Sequence, residues 1–136
     1  MTSMRSEKSV LIRDEYDIVS ACSIGQRIVS EIRLSTDAQN QAAVVVSELA
    51  RNMLLHAGSG VITFRRIDGR EGIGVEIIAV DSGPGIQNVE EILQHELETD
   101  GAAGTGLLVA KYLMDDFGVN SEVGRGTTVT VRKWLK

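Results

Sequence analysis

Glu48 and Asn52 are the two residues whose types and spacing most directly suggest chemistry in this sequence. Residues four apart are neighbours on one face of an α-helix, so both side chains would project from the same side. A carboxylate in such a position can take a proton or orient water, and an amide oxygen beside it is a suitable hard ligand for Mg²⁺. The alternative is a solvated helix face on which Glu48 forms only a weak ion pair with Arg51.

The helix predicted around this pair has an apolar arc and an opposite, more polar arc when residues are placed ~100° apart. The apolar arc contains Ala42, Val46, Leu49, Ala50, Met53 and Leu54; the polar arc contains Ser47, Glu48, Arg51, Asn52 and His56, interrupted by Val44, Val45 and Leu55. These apolar interruptions favour a face that lines a cavity over one that is fully solvated. His56, close to the predicted helix end, is interpreted as a packed or surface residue rather than a catalyst.

A second candidate site begins at Asp81, which follows an apolar segment and precedes Ser82-Gly83-Pro84-Gly85. Glycine permits positive φ and lets another group approach the backbone closely. An Asp held by such a turn can accept a hydrogen bond from an exocyclic amine such as that of adenine. The competing interpretation is a tight turn in which the Asp81 side chain bonds only its own backbone.

A third candidate is the glycine-rich segment Gly101-Ala102-Ala103-Gly104-Thr105-Gly106, which precedes an apolar helix starting near Leu107. Backbone N–H groups at a helix start bind anions, so this segment is a candidate phosphate site. It is not a Walker loop, because no Gly-Lys-Ser/Thr follows. It is not a Rossmann fingerprint, because the glycine spacing differs and no strand leads directly into it.

The elements that must position these residues are short strands and amphipathic helices. Predicted strands are Ser9–Arg13, Gly60–Ile67, Gly72–Asp81, Val119–Val123 and Thr127–Trp134; predicted helices are Glu15–Arg33, one from a Ser35–Asp37 cap to near Ala57, Val89–Leu97 and Gly106–Phe117 stopped at Gly118. Residues 68 to 72 are predicted to be a hairpin loop. Since no repeat or linker interrupts this order, the pattern indicates a two-layer α+β sandwich with mostly antiparallel strands.

Composition narrows the class of protein. The 136 residues suit a single domain over residues 1–136. The net charge of −5 disfavours nonspecific nucleic-acid binding, which depends on Lys and Arg. No apolar run approaches the ~20 residues that span a bilayer, and residues 1–8 lack a signal-peptide core. The lone Cys22 is expected in a helix-packing surface, and its lack of a partner cysteine favours a reducing, cytoplasmic location.

Taken in order, the candidate segments resemble the nucleotide-binding motifs of the GHKL ATPase superfamily, which includes gyrase, the Hsp90 chaperone, histidine kinases and MutL. The matching segments are Ser47–Asn52, Asp81–Ile86, Gly104–Leu107 and Gly126–Val129. The resemblance covers essentially the whole chain and implies a Bergerat-type α/β sandwich with a mixed, mostly antiparallel sheet covered by helices. Within the superfamily, Tyr16–Val19, Leu113–Phe117 and Lys133–Leu135 make the chain most similar to the stressosome switch kinases among the anti-sigma-type serine/threonine kinases.

The resemblance implies a role for each candidate residue. Glu48 would be the general base, Asn52 the Mg²⁺ ligand and Asp81 the residue that reads the adenine of ATP. The other implied ATP-binding residues are Gly83 and Gly85 at the base pocket, Gly101, Gly104, Thr105, Gly106 and Leu107 at the phosphates, and Thr127 on the adenine side. Arg51 is a further candidate, as a source of charge compensation for the phosphates.

The same resemblance implies a protein substrate, a serine on a small STAS-domain antagonist, phosphorylated from Mg-ATP. The released kinase would then activate a downstream PP2C-type phosphatase. One alternative is an anti-sigma kinase that sequesters a sigma factor, and another is a nucleotide-gated binding module with little catalysis. Arg27 and Glu31 on the first helix are candidates for partner contact or homodimerisation, although an ordinary solvated face would look the same.

The segment Gln87–Ala103 departs from what a triphosphate site needs. It contains no Lys or Arg but five acidic residues, Glu90, Glu91, Glu96, Glu98 and Asp100. Such a segment would not neutralise phosphates. It therefore predicts modest ATP affinity, closure only with a partner, or a weakened catalyst, with Arg51 or Arg125 as the compensating cation.

Overall fold

The computed structural model describes residues 7–70, 72–86 and 105–135 of the chain. Among these residues, five strands form one sheet in the order β1-β2-β3-β5-β4, with three helices. The bounds are β1 Glu7–Ile12, α1 Glu15–Glu31, α2 Thr36–His56, β2 Gly60–Gly69, β3 Gly72–Asp81, α3 Thr105–Leu113, β4 Asp116–Glu122 and β5 Gly126–Trp134. The expected α+β fold is confirmed, and the four described strand pairings are all antiparallel rather than mixed.

Side-chain caps fix where the first two helices begin. Asp14 accepts a hydrogen bond from the Asp17 N–H at 3.1 Å, and Ser35 Oγ accepts one from the Ala38 N–H at 3.0 Å. Each cap satisfies a backbone donor that a helix start leaves free, and such a cap contributes about 1 kcal/mol. The Ser35 cap sets the starting point of α2 and therefore the direction in which its later residues face.

The core lies between the helices and one face of the sheet. Alternate residues of β3, such as Ile77, belong to the same buried apolar cluster as residues of α2 such as Val46 and Met53. Gly25 lies inside α1, although a glycine within a helix costs about 1 kcal/mol relative to Ala. A Cβ atom at Gly25 would lie 3.0 Å from the ring of Phe64, so the glycine lets the ring of this β2 residue pack tightly under the helix.

The predicted helix from Gly106 to Phe117 is too long. The observed α3 ends at Leu113, and Asp116 and Phe117 begin β4 instead. Phe117 pairs with Val131 of β5, and the Asp115 N–H donates to the Arg132 carbonyl at 2.9 Å. Pairing with a distant strand therefore overrides the local helical pattern, and Gly118 lies within a strand rather than stopping a helix.

Other predicted boundaries shift for similar reasons. The pairing of β2 with β3 continues to Gly69 and Gly72, which pair with each other. The predicted five-residue loop between these strands is therefore too long. Val45 was assigned to the polar arc of α2 but is fully buried. The predicted helix Val89–Leu97 lies outside the described residues. None of the helices in the described ranges is long and apolar enough to cross a membrane.

Candidate functional site

An open cleft of about 410 Å³ lies between α2, the start of α3 and the ends of β3 and β5. Its lining residues are Leu49, Asn52, Met53, His56, Ala79, Asp81, Pro84, Gly85, Ile86, Leu107, Thr127 and Val129. The walls are mostly apolar, with a few polar groups from separate segments, as is typical of ligand sites. The fold thus brings together residues from all four motifs, which the sequence separates by up to 75 positions between Asn52 and Thr127.

The start of α3 packs directly against Glu48 and Asn52. Gly106 is buried, and a Cβ atom there would lie 3.2 Å from Glu48 Oε1 and 3.2 Å from Asn52 Nδ2. Glycine at this position therefore lets the helix backbone approach both polar side chains. The N–H groups of a helix start favour anions. A carboxylate, an amide and a helix start therefore meet here, and of the three residues Glu48, Asn52 and Gly106 only Asn52 lines the cleft.

Glu48 also forms the ion pair that the sequence suggested. Arg51 Nη1 lies 3.8 Å from Glu48 Oε2, and the two side chains are 58% and 32% exposed. An exposed pair of this length contributes little to stability. Arg51 does not line the cleft.

The positive charge of Arg51 influences the pKa of the neighbouring Cys22 thiol. Burial raises the pKa of Cys22, and the positive charge of Arg51 partly opposes that rise. The Cys22 Sγ donates to the Ala43 carbonyl at 3.5 Å. Cys22 therefore lies in the α1–α2 packing surface, as expected.

Asp81 uses one carboxylate oxygen to hold its own turn. The Gly83 N–H donates to Asp81 Oδ1 at 2.9 Å. The hydrogen bond that the turn interpretation expected, between the Asp81 side chain and its own backbone, is therefore present. Within the described part of the chain, Oδ2 has no hydrogen-bond partner, and Asp81 lines the cleft. The residue can therefore hold the turn and still accept a hydrogen bond from a ligand.

The two glycines of this turn are required by close packing. A Cβ atom at Gly83 would lie 2.5 Å from the Cβ of Ala57 at the end of α2. Gly85 has a φ of +80°, and a Cβ there would overlap the Glu122 carbonyl. The short side chain of Ala57 and the backbone of Glu122 cannot easily move aside. A larger residue at Gly83 or Gly85 would therefore shift the turn.

Thr127 lies opposite Asp81 in the β3–β5 pairing and is buried. Its Oγ1 atom is 2.8 Å from the Oγ atom of Ser121, and Ser121 accepts a hydrogen bond from the Ile86 N–H at 2.7 Å. Sequence reasoning missed Ser121. The alternation of β4, which places Phe117 and Val119 on the covered face of the sheet, was the signal that could have found it.

The family model described as "Histidine kinase-like ATPase domain" matches residues 13–133 of this sequence. The chain belongs to that family. The resemblance to the GHKL superfamily, inferred from the motifs, is confirmed by this match. The conclusion does not depend on any single motif, since the match covers both the helix with Glu48 and the strand with Thr127.

Several characterised members of the histidine kinase-like ATPase family are similar to this chain. Serine/threonine-protein kinase RsbT of Bacillus subtilis (strain 168) is 38% identical over 133 residues, which are 98% of this chain and 100% of that protein. The anti-sigma F factor of Caldanaerobacter subterraneus subsp. tengcongensis is 35% identical over 96 residues, 66% of each chain. The anti-sigma F factor of Anoxybacillus flavithermus is 32% identical over 114 residues, 79% of this chain and 77% of that protein.

A family member of this kind is expected to bind ATP, and the cleft residues fit a nucleotide with its metal. No group of three or more His, Cys, Asp or Glu side chains gathers among the described residues to form a protein-only metal site. Mg²⁺ commonly uses one or two protein oxygens together with phosphates and waters. Asn52, beside Glu48 and the backbone of Gly106, provides such a partial ligand set.

The structure describes some of the remaining predicted site residues and not others. Leu107 is buried and lines the cleft, and Thr105 begins α3. Gly101 and Gly104 lie outside the described residues, as does the acidic segment Gln87–Ala103. Their predicted contacts with phosphates stay predictions.

Proposed function

We propose that this chain is an ATP-dependent protein-serine/threonine kinase that phosphorylates a STAS-domain antagonist in a cytoplasmic partner-switching pathway. Released from that antagonist, the kinase then activates a PP2C-type phosphatase. The observation that carries the proposal is the packing of Gly106 against Glu48 and Asn52. This packing supports a general-base role for Glu48, a metal-ligand role for Asn52 and a phosphate-binding role for the start of α3, and Asn52 and Asp81 both line the cleft.

Asp81 and the apolar walls would hold the base of the nucleotide. Asp81 lines the cleft, and its Oδ2, which has no hydrogen-bond partner among the described residues, would accept a hydrogen bond from the exocyclic amine of adenine. Met53, Ile86 and Leu107 offer apolar contacts to the ring. The glycines of the turn let the backbone after Asp81 pack closely against Ala57 and the Glu122 carbonyl.

Glu48 and Asn52 would act at the phosphate end. Asn52 would hold Mg²⁺, and bound Mg-ATP supplies the phosphoryl group and the charge neutralisation that its transfer needs. Glu48 would take the proton of the substrate serine hydroxyl as the hydroxyl oxygen bonds to the γ-phosphorus, while the bond from that phosphorus to the bridging oxygen breaks and ADP leaves. The N–H groups at the start of α3 stabilise the negative charge of the phosphates.

Phosphate transfer from Mg-ATP to STAS-domain proteins of the source cell tests the proposal. We expect serine phosphorylation by the wild type, and a fall of about 10²-fold or more in Glu48→Gln, because this substitution keeps the shape and removes the base. Asn52→Ala should lose both transfer and Mg²⁺-dependent binding. Glu7→Gln, an exposed substitution on β1, serves as the matched control and should behave as the wild type.

A second candidate function, a nucleotide-gated binding module, is favoured by the lack of Lys and Arg in Gln87–Ala103. The same assay separates the two. A wild-type protein that binds ATP and captures a STAS-domain protein without phosphorylating it would contradict the kinase proposal and support the module. Capture of a sigma factor by the wild type would instead support the anti-sigma alternative.

A further inference from the structure

We infer that the solvent-facing side of α2 is the docking surface for the protein substrate, with Val44 and Leu55 contacting apolar residues on either side of the substrate serine. The inference rests on the kinase function proposed above and deepens it by naming where the substrate binds. It assigns a role to two exposed side chains that belong to none of the sequence motifs and do not line the nucleotide cleft.

The exposed row of α2 consists of four residues, Val44, Glu48, Arg51 and Leu55. Their spacing of four, three and four keeps them within an arc of about 60° on the helix. The apolar side chains at the two ends, Val44 and Leu55, are 44% and 75% exposed, and the ion pair between them is also open to solvent. At the rise of an α-helix, the row is about 16 Å long.

Glu48 is the member of this row that adjoins the proposed phosphate site. Its Oε1 atom would lie 3.2 Å from a Cβ atom at Gly106, and its Oε2 atom lies 3.8 Å from Arg51 Nη1. A general base must come within hydrogen-bond reach of the hydroxyl that it deprotonates. Because α2 packs against α1, α3 and the sheet on its other sides, the substrate serine must approach Glu48 from the exposed row.

A protein that presents a serine to Glu48 must also cover the two ends of the row. Val44 lies one turn before Glu48, and Leu55 lies one turn after Arg51. A standard interface buries about 800 Å² on each partner, which is wide enough to cover the whole row. Burial of Val44 and Leu55 stabilises the complex only where the partner offers apolar surface. The row therefore fits a folded partner whose serine is flanked by apolar residues.

Other exposed apolar side chains in the described ranges do not share a helix face with Glu48. Leu11 and Val80 both pair with Val61 and lie on the open face of the sheet. Tyr16 and Val19 are exposed and three residues apart on α1, which makes them the rival docking surface. The proposed general base lies on α2, however, so the row that contains it is the better candidate.

Steady-state kinetics with the STAS-domain protein that the wild type phosphorylates test the inference, at saturating Mg-ATP. We expect Leu55→Gln to raise KM for that protein about tenfold and Val44→Thr about threefold, because each substitution loses an apolar contact. The kcat value and the affinity for ADP should stay within about twofold of the wild type, since neither side chain lines the cleft. Leu11→Gln, the same change at a half-exposed leucine on β1, is the matched control and should leave KM unchanged.

The double variant of Val44 and Leu55 should raise KM about 30-fold, because the effects of well-separated residues multiply. A wild-type KM in both single variants, or an ADP affinity that falls as KM rises, would overturn the docking role. A raised KM in Tyr16→Ser, with none in Leu55→Gln, would place the substrate on α1 and overturn it equally. A wild-type protein that binds ADP but phosphorylates no STAS-domain protein would instead overturn the proposed function and, with it, this inference.

Discussion

Strand β3 carries two carboxylates, Glu76 and Asp81, and the fold treats them in opposite ways. Glu76 is only 2% exposed, and its two oxygens bind Arg65 and Arg132, the latter at 2.8 Å. Asp81 stands at the end of the strand and lines the cleft, with one oxygen bound to the Gly83 N–H and the other without a partner among the described residues. A carboxylate whose oxygens are both bound by the protein is structural, whereas one with a free oxygen can serve a ligand.

The two residues also lie on opposite faces of the sheet. Asp81 shares the face of Ile77, which packs against the helices, and Glu76 lies on the other face. On that other face, one row of paired residues crosses all five strands with alternating charge: Glu7, Arg65, Glu76, Arg132 and Asp116. Opposite charges on directly paired residues stabilise a sheet, so this face is held by ion pairs where the helix-covered face is held by apolar packing.

Asp81→Asn should produce the largest effect of the substitutions at Asp81 and Glu76, as a loss of ADP affinity. The substitution presents an amide nitrogen or a weaker acceptor to the exocyclic amine, so we expect ADP affinity to fall about 10²-fold. The free energy of unfolding should change by less than ~1 kcal/mol, because an amide oxygen can still accept from Gly83. Calorimetric titration and urea unfolding measure the two quantities. Asp68→Asn, an exposed change on β2, is the control and should alter neither.

Glu76→Ala should show the opposite profile. Its removal leaves two arginines without their partner, and since both are about half exposed we expect a loss of ~2 kcal/mol in unfolding free energy rather than the larger loss of a fully buried pair. ADP affinity should stay within twofold of the wild type. Glu7→Ala, at the exposed end of the same row, should cost under ~0.5 kcal/mol. Impaired ADP binding in Glu76→Ala, with the fold intact, would mean that the two faces are coupled.

The sequence predicted Asp81 but not Glu76, and the reason is physical. The turn after Asp81 is local: its glycines, its proline and its side-chain cap lie within five residues. The same holds for α2, where Ser35 and the apolar spacing were enough to predict the helix. Glu76, by contrast, binds Arg132, which is 56 residues away, and the pairing depends on a strand register that local patterns do not specify.

Ser121 was missed as a site residue, and β4 was predicted to begin at Val119 rather than at Asp116, for the same reason. The residues Asp116 and Phe117 continue a helical pattern locally, and only pairing with β5 makes them a strand. The predicted strand from Val119 contained Ser121, but its pairing with Thr127 depends on the register between β4 and β5, which local patterns do not specify. Part of the candidate site was therefore predictable as motifs, while the side chain hydrogen-bonded to the motif residue Thr127 was found only from the three-dimensional pairing.

Removal of the Ser35 cap should have a smaller effect than either carboxylate change, and it tests how rigidly α2 presents the site. Ser35→Ala leaves the Ala38 N–H without its acceptor, and we expect the unfolding free energy to fall by ~1 kcal/mol. Glu48 and Asn52 lie at least three helical turns further along, so ADP affinity should not change. Ser30→Ala, exposed in the last turn of α1, is the control. Weaker ADP binding by Ser35→Ala, under conditions in which the variant is fully folded, would show that the cap positions the site and does not merely stabilise the helix.

Arg51 gives the smallest expected effect and the sharpest contrast with Arg132. Arg132 lies 2.8 Å from a buried carboxylate, whereas Arg51 lies 3.8 Å from a partly exposed one. Arg51→Gln should therefore change the unfolding free energy by under ~0.5 kcal/mol, and Arg132→Gln by more. If Arg51 compensates the charge of the phosphates, Arg51→Gln should weaken ATP about threefold more than ADP at low salt, and the difference should shrink as salt screens it. ATP binding equal to the wild type at low salt would assign that compensation to another cation, such as Arg125.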